Sequence, residues 1–454
     1  LKIFKNPYLF LIAVHIAVGF GVYLFRPFAK VYFMATVGIF LFYLFKNGNK
    51  NNEALYAAAY ITGAEVFFRM TDASPIPIYE AGKYGVIGFI LLGLFFSGTS
   101  RKSGPYWLYL LLLIPGVVYA SSTLGYDTNF RKAVIFNLSG PFCLGIAALY
   151  CVDRKITRKQ LQYIIWSLLM PTIAMGVYLL FFTPDTRSVL TGTGSNYAAS
   201  GGFGPNQVST AVGIGMFCLV IQLFNNSKNI ILLAINLGLL SLLTYRGIVT
   251  FSRGGVLTAL IISVAFIFFY FKAVNIKTKK RIIGPILFLV LTASFTYLLT
   301  SVRTSGLIDK RYANKDAAGR VKEDLSTGRT VLISSELEAF FKNPITGIGV
   351  GKIKEYREET QGISAASHNE LSRMLSEHGL SGLFALLILG VYPLIFRLSN
   401  RRNFLFFSML GFWFLTINHS SMRIAAPAFI YSLCLLNIVN EKKKNPIHRE
   451  RIIS

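Results

Sequence analysis

Acidic residues are scarce in this sequence. Twenty Asp and Glu stand against forty-six Lys and Arg over 454 residues, and charged residues of both signs make up only 15% of the chain. A soluble chain of this length carries many more charges and splits into several domains, so that class is excluded. The few acids are also dispersed. Asp72, Asp127 and Asp185 are isolated, and no early Asp-Asp or Asp-x-Asp pair is present. Those between 301 and 367, among them Asp309, Asp316, Glu323, Asp324, Glu336 and Glu338, lie among as many bases and show no ligand spacing. A metal held by paired carboxylates is therefore not expected, and the chemistry reads as metal-independent. Cysteine is rare as well. Cys143, Cys151, Cys218 and Cys434 fall in or at the ends of apolar runs, without a CxxC, and read as small buried residues. The P-loop, the dinucleotide glycine motif and HExxH are absent, so no cofactor is expected. No internal repeat or low-complexity linker divides the chain.

What fills the sequence is hydrophobic, at 53% of residues. Apolar runs of about 17–25 residues recur throughout, the length a helix needs to cross a bilayer core. We read fourteen: 7–25, 28–45, 54–70, 80–97, 105–121, 132–151, 160–182, 206–224, 229–245, 254–271, 282–300, 379–396, 404–418 and 424–440. The 54–70 run is the weakest, because Glu65 and Arg69 lie in it, and 229–271 can be cut differently. The expectation is an all-α polytopic membrane protein with about 12–14 transmembrane helices. The first run is too long, and too poorly followed by small residues, for a cleaved signal peptide, and reads as the first membrane helix.

The net charge of +26 invites a nucleic-acid reading, but its placement opposes one. With the N-terminus inside, the basic residues gather in alternate gaps. Lys46 and Lys50, Arg101 and Lys102, Arg154 to Lys159, Lys272 to Arg281, Arg397 to Arg402 and the tail after 440 all fall on the inner side. The outer short loops carry fewer, among them Arg26, Lys30, Arg131, Arg187, Arg246, Arg253 and Arg423. This bias sets orientation, with the long loop on the outer face. The resulting division is eleven membrane helices over 1–300, a cap over 301–367, three last membrane helices over 368–440 and a basic inner tail over 441–454.

Polar residues concentrate on the outer side. The loop from 301 to 367 is too long for an idle connection. Its stretches Thr330–Lys342 and Ile353–Thr360 have helical spacing, which predicts two or three short helices lying over the membrane domain. It closes on Ser367-His368-Asn369-Glu370, which holds one of only five histidines. Imidazole exchanges a proton near neutral pH, which suits general-base work on a hydroxyl; the plain alternative is a headgroup-level anchor. A helix beginning near Ser367 would place His368, Leu371, Leu375 and Gly379 on one face, with Glu377 off it. Arg253 stands at membrane depth before two glycines, where a guanidinium is costly unless it works, and its fork suits a phosphate. Arg329 and Arg320 are further anion-ligand candidates, each also readable as solvated. Asn206 reads first as a helix cap. His419 and Arg423 share a tight outer turn that reaches toward the same cavity.

These residues resemble the O-antigen ligase and polymerase superfamily. His368-Asn369-Glu370 through Leu375, Glu377, Gly379-Leu380 and Gly382 is similar to its His-Asn-x-x-Leu…Glu-x-Gly-Leu-x-Gly signature. Gly204-Pro205-Asn206-Gln207, Ser252-Arg253-Gly254-Gly255, Gly328-Arg329 and Asn343-Pro344…Gly347-Ile348-Gly349 resemble its other elements, in order. Leu371 and Ser372 depart from it, where an aromatic and an apolar residue are usual. The likeness covers about 200–382. It implies a GT-C-like membrane glycosyltransferase that takes a glycan from an undecaprenyl-diphosphate carrier and transfers it with inversion. A ligase places it on lipid A–core; a polymerase places it on a second lipid-linked glycan. His368 would be the catalytic base, and Arg253 and Arg329, with Arg320, would bind the diphosphate. Asn369, Asn206, Glu377 and His419 would support them. The competing classes are a flippase for lipid-linked sugars and a structural subunit of an export complex. A flippase would spread its charges through its central helices instead of gathering them on one face.

Overall fold

The described parts of the apolar runs fold mainly as helix, since a bilayer leaves the backbone no partner but itself. A computed structural model describes residues 6–74, 81–183, 185–190, 192–225, 227, 229–322 and 328–439; the expected basic tail 441–454, with Lys2 and Lys5, lies outside them. The order is α1 (Pro7–Leu24), α2 (Phe28–Asn47), α3 (Glu53–Met70), α4 (Ala81–Ser97), α5 (Gly104–Leu112), α6 (Ile114–Thr123), α7 (Phe130–Cys151), α8 (Arg158–Phe182) and α9 (Pro205–Asn225). Then come α10 (Ile230–Val249), α11 (Arg253–Ala273), α12 (Ile276–Arg303), α13 (Leu307–Tyr312), α14 (Arg329–Lys342), α15 (Ile353–Gln361), α16 (Glu370–Ser399), α17 (Phe406–Ser420) and α18 (Ala425–Leu433). Two three-residue strands, β1 (Lys155–Thr157) and β2 (Asn437–Val439), pair in parallel. The protein is an all-α polytopic membrane protein.

Among the described residues, ten helices are long and apolar enough to cross a membrane by themselves, α5 and α6 counting as one. Four other expected spans fall short, two of them for a shared reason. They are α3, α4, α17 and α18, and α3 and α18 are almost wholly buried by neighbours. A helix shielded from lipid need be neither long nor free of charge. Thus α3 keeps Glu53, Glu65 and Arg69 inside the protein, and α18 has only nine residues. The core is α3, α7, α8, α9 and α18; α8 packs on α1, α3 and α9, and α18 on α7 and α17.

The basic gaps meet at one end of the bundle. Arg154 donates to the Gly98 carbonyl (3.0 Å), Asn437 to the Arg154 carbonyl (2.9 Å) and Asn400 to the Leu436 carbonyl (2.9 Å), while Lys102 pairs with Asp153 (3.1 Å). The opposite end gathers the loop after α8, the α10–α11 turn and the segment between α12 and α16. Arg187 bonds the Val302 carbonyl there, and buried Arg246 bonds those of Leu180 and Thr183. Three short helices, α13, α14 and α15, occupy that segment.

One turn at this end lies deep. Helices of fifteen and nine residues rise about 22 and 14 Å, against a hydrocarbon core of about 30 Å. The α17–α18 turn therefore sits below the ends of its neighbours. Its polar backbone is met by buried charges: Glu65 accepts from the Ala425 N–H (2.6 Å), Arg69 donates to the Arg423 carbonyl (3.3 Å) and Lys83 to that of Met422 (3.5 Å).

Candidate functional site

The site is assembled from four elements around that turn. The first is the segment before α16. Its helix starts at Glu370 and not near Ser367, because Asn369 caps it: the Asn369 Oδ1 accepts from the N–H groups of Leu371 (2.9 Å) and Ser372 (3.1 Å). His368 therefore lies outside the helix, and the expected shared face with Leu371 and Leu375 does not form. Its strand of chain is held by carbonyls instead. Arg357 donates to the Ala365 carbonyl, Arg423 to that of Ser367 (2.5 Å) and the Ser421 N–H to that of His368 (3.1 Å). Asn369 also reaches across to Asn418 (3.0 Å). The His368 Nδ1 is buried without a partner among the described residues, which leaves Nε2 as the nitrogen on the open side of this partly exposed ring.

The second element is the start of α11. The Ser252 carbonyl accepts from Ser209 (2.8 Å), and its hydroxyl donates to Asn206 (2.6 Å), one residue inside α9. Asn206 is thus a brace between helices and not the cap of its own. Gly254 is a point of contact: a Cβ there would stand 2.3 Å from the His419 ring. His419 donates from Nδ1 to the Leu415 carbonyl (2.9 Å), so its Nε2 carries the lone pair, and that atom is buried without a described partner. Arg253 opens α11 and points at the third element, α13 and the turn after it. Its guanidinium donates to the Asn314 side chain (2.5 Å) and the Arg311 carbonyl (3.5 Å). The fourth element is the start of α14, where Arg329 stands half-buried.

Three guanidiniums converge here. Arg311 is acidified by burial and then by Arg253 and Arg329; Arg329 is acidified by burial and then by Arg253. Among the described residues no carboxylate acts on either. His368 is pushed down to about 4, first by burial and then by Arg423, Arg329, Arg357 and His419. A neutral imidazole therefore faces several guanidiniums, of which Arg357 is paired with Glu336 while Arg329 has no carboxylate acting on it among the described residues. Such a place suits a multiply charged anion.

Two expected members stand elsewhere. Arg320 is 82% exposed and bound to Asp316 (2.7 Å), so it is a solvent-side ion pair outside the cluster. Glu377 is fully buried in the cap's framework, accepting from Arg373 and from the Gly351 N–H (3.0 Å). Conversely, Arg311 was not signalled by the sequence, being one base among many in a charged loop. The Glu65, Arg69 and Lys83 platform had a signal that read only as a weak span: charge inside an apolar run.

An apolar groove of about 720 Å³ runs between α11 and α12 down the bundle. Leu260, Val264 and Phe268 line one wall, and Leu289 and Val290 the other. Tyr312 closes its upper end and feels both Arg253 and Arg311, so the groove opens beside the cluster.

No curated protein matches the chain. Residues 238–387, which carry Arg253, Arg311, Arg329, His368 and the whole cap, match the family model described as O-Antigen ligase. That stretch, about a third of the chain, is what the protein shares with the O-antigen ligase family.

Proposed function

We propose that this protein is a glycosyltransferase that moves a glycan from undecaprenyl diphosphate to an acceptor hydroxyl on the periplasmic face of a bacterial inner membrane. The acceptor we favour is lipid A–core, which makes it an O-antigen ligase. The observation that carries this reading is the set of Arg253, Arg311 and Arg329, free of described carboxylates, with Arg329 acting on the His368 ring and the set at the mouth of an apolar groove. A charged head and a long isoprenoid tail fit those two features together.

The chemistry follows from the groups. His368 Nε2 takes the proton from the acceptor hydroxyl as its oxygen bonds to the anomeric carbon. The bond from that carbon to the phosphate oxygen breaks, and the diphosphate leaves with the electron pair. Attack opposite the leaving group inverts the anomeric centre. A diphosphate needs charge stabilisation more than protonation, and fixed guanidiniums in a partly dry site supply it without reorganising. The basic end of the bundle faces the cytoplasm in this reading.

The test is transfer by the purified protein in proteoliposomes, given an undecaprenyl-diphosphate-linked glycan and either lipid A–core or a second carrier-linked glycan. Product on lipid A–core supports the ligase. Chain growth on the carrier alone assigns a polymerase. No transfer to either acceptor, with movement of the carrier between leaflets, overturns the enzyme reading in favour of a flippase.

A further inference from the structure

We infer that Arg311 is a third ligand of the donor's diphosphate and makes the site select a diphosphate over a monophosphate. The inference rests on the reading that the cluster takes an isoprenoid diphosphate. Helix α13 is docked firmly enough to present a ligand. Ile308 is fully buried with Ile248 and Phe251, and Asp309 accepts from Tyr297 (2.9 Å) and Ser301 of α12. On that base the Arg311 Nε donates to the Phe251 carbonyl (3.1 Å). Phe251 has a φ of +57°, a left-handed conformation that is costly for a side-chain-bearing residue and persists only where its surroundings hold it. Arg311 is part of that hold. Its own carbonyl accepts from Arg253, so the two arginines fix each other.

A purely structural role uses only Nε. It does not explain why the rest of the fork stands half-buried against two like charges. The two terminal nitrogens have no partner among the described residues. Three guanidiniums without a carboxylate among the described residues repel one another until an anion arrives. A diphosphate offers oxygens on two phosphorus centres, enough for three forks at separate points; a monophosphate offers one centre and leaves part of the cluster uncompensated.

The experiment measures binding of farnesyl diphosphate and farnesyl monophosphate to the full chain in nanodiscs. The variants are Arg311→Gln, Arg253→Gln, the double variant, and Arg320→Gln as a control. Wild type is expected to prefer the diphosphate by at least about tenfold, and Arg311→Gln to lose about tenfold on the diphosphate and less on the monophosphate. The loss is expected to persist in the Arg253→Gln background, and Arg320→Gln to change nothing. If the Arg311 effect vanishes in that background, or falls equally on both ligands, Arg311 only props Arg253 and the inference fails. Wild type that binds neither ligand removes the diphosphate reading itself, a different result. Should Arg311→Gln not fold, Arg311→Lys, which keeps the charge without the fork, is expected to lose the preference in part, and an unchanged preference overturns the claim.

Discussion

At the scale of the residue, His368 is an imidazole kept neutral by burial and by cationic neighbours, and its proposed role is that of base. Replacing it with alanine should lower kcat by about 10²–10⁴-fold and leave donor binding largely intact, as measured by transfer and by binding on the same preparation. Wild-type rates in His368→Ala would end its assignment as base. The pH dependence follows from sign. Protonated His368 cannot accept a proton, so activity is lost as pH falls through its pKa. Burial and then Arg423 and Arg329 hold that value near 4 in the free protein, well below the ordinary histidine range. The acid limb of kcat/KM for the donor should therefore lie well below pH 6. A bound diphosphate adds negative charge beside the ring and favours the imidazolium, so the acid limb of kcat should lie at higher pH than that of kcat/KM. Coincident limbs would mean that the anion does not sit next to His368.

At the scale of the element, the family's glycines and acid read as framework. Helix α16 is broken at Gly379, whose φ of +59° and ψ of −136° end one helix and begin the next. The bend receives the 345–351 loop edge-on. The Ile348 N–H donates to the Ser376 carbonyl (2.8 Å), Gly349 to that of Glu377 (3.1 Å) and Leu380 to that of Ile345 (3.3 Å). Backbone meets backbone so closely that a Cβ on Gly379 would stand 2.5 Å from the Gly347 nitrogen. Gly379→Ala should therefore cost at least ~2 kcal/mol, from the left-handed conformation plus the collision. The expected signs are a lower unfolding temperature and faster proteolysis within 329–361; unchanged proteolysis would show that the bend does not hold the cap. The cap is held further by a buried network in which Glu336 of α14 accepts from Arg357 of α15 and Ser372 of α16. The helices α14 and α15 were legible in the sequence because their apolar spacing is local. The contacts of Glu336 that tie them to each other and to α16 were not, since they link positions 21 and 36 residues apart among many similar polar residues. The place of Glu377 was not legible for the same reason: its partner Gly351 is 26 residues away and binds through a backbone N–H that no motif displays.

At the scale of the whole molecule, alternation of charge carried more information than run length. Four expected spans are too short, or in α3 too charged, to qualify by themselves, yet the basic gaps between helices meet at one end and the long loop at the other. The sidedness can be measured directly, because the four native cysteines are all buried and give little background. Phe341→Cys, at a 74% exposed position on α14, should react with an impermeant maleimide added outside spheroplasts. Lys50→Cys, at an exposed position after α2, should react only after permeabilisation. The reverse pattern would invert the topology. The groove between α11 and α12 carries one more consequence. Its walls include Leu260, Val264 and Val290, each more than half exposed where lipid would lie, so a tail can slide in sideways from the leaflet. The protein would then meet its donor in two dimensions, and the relevant concentration is a surface density. Adding inert phospholipid to proteoliposomes at constant bulk donor should slow transfer as the donor's mole fraction falls. A rate that follows bulk molarity alone would mean that the donor arrives from water.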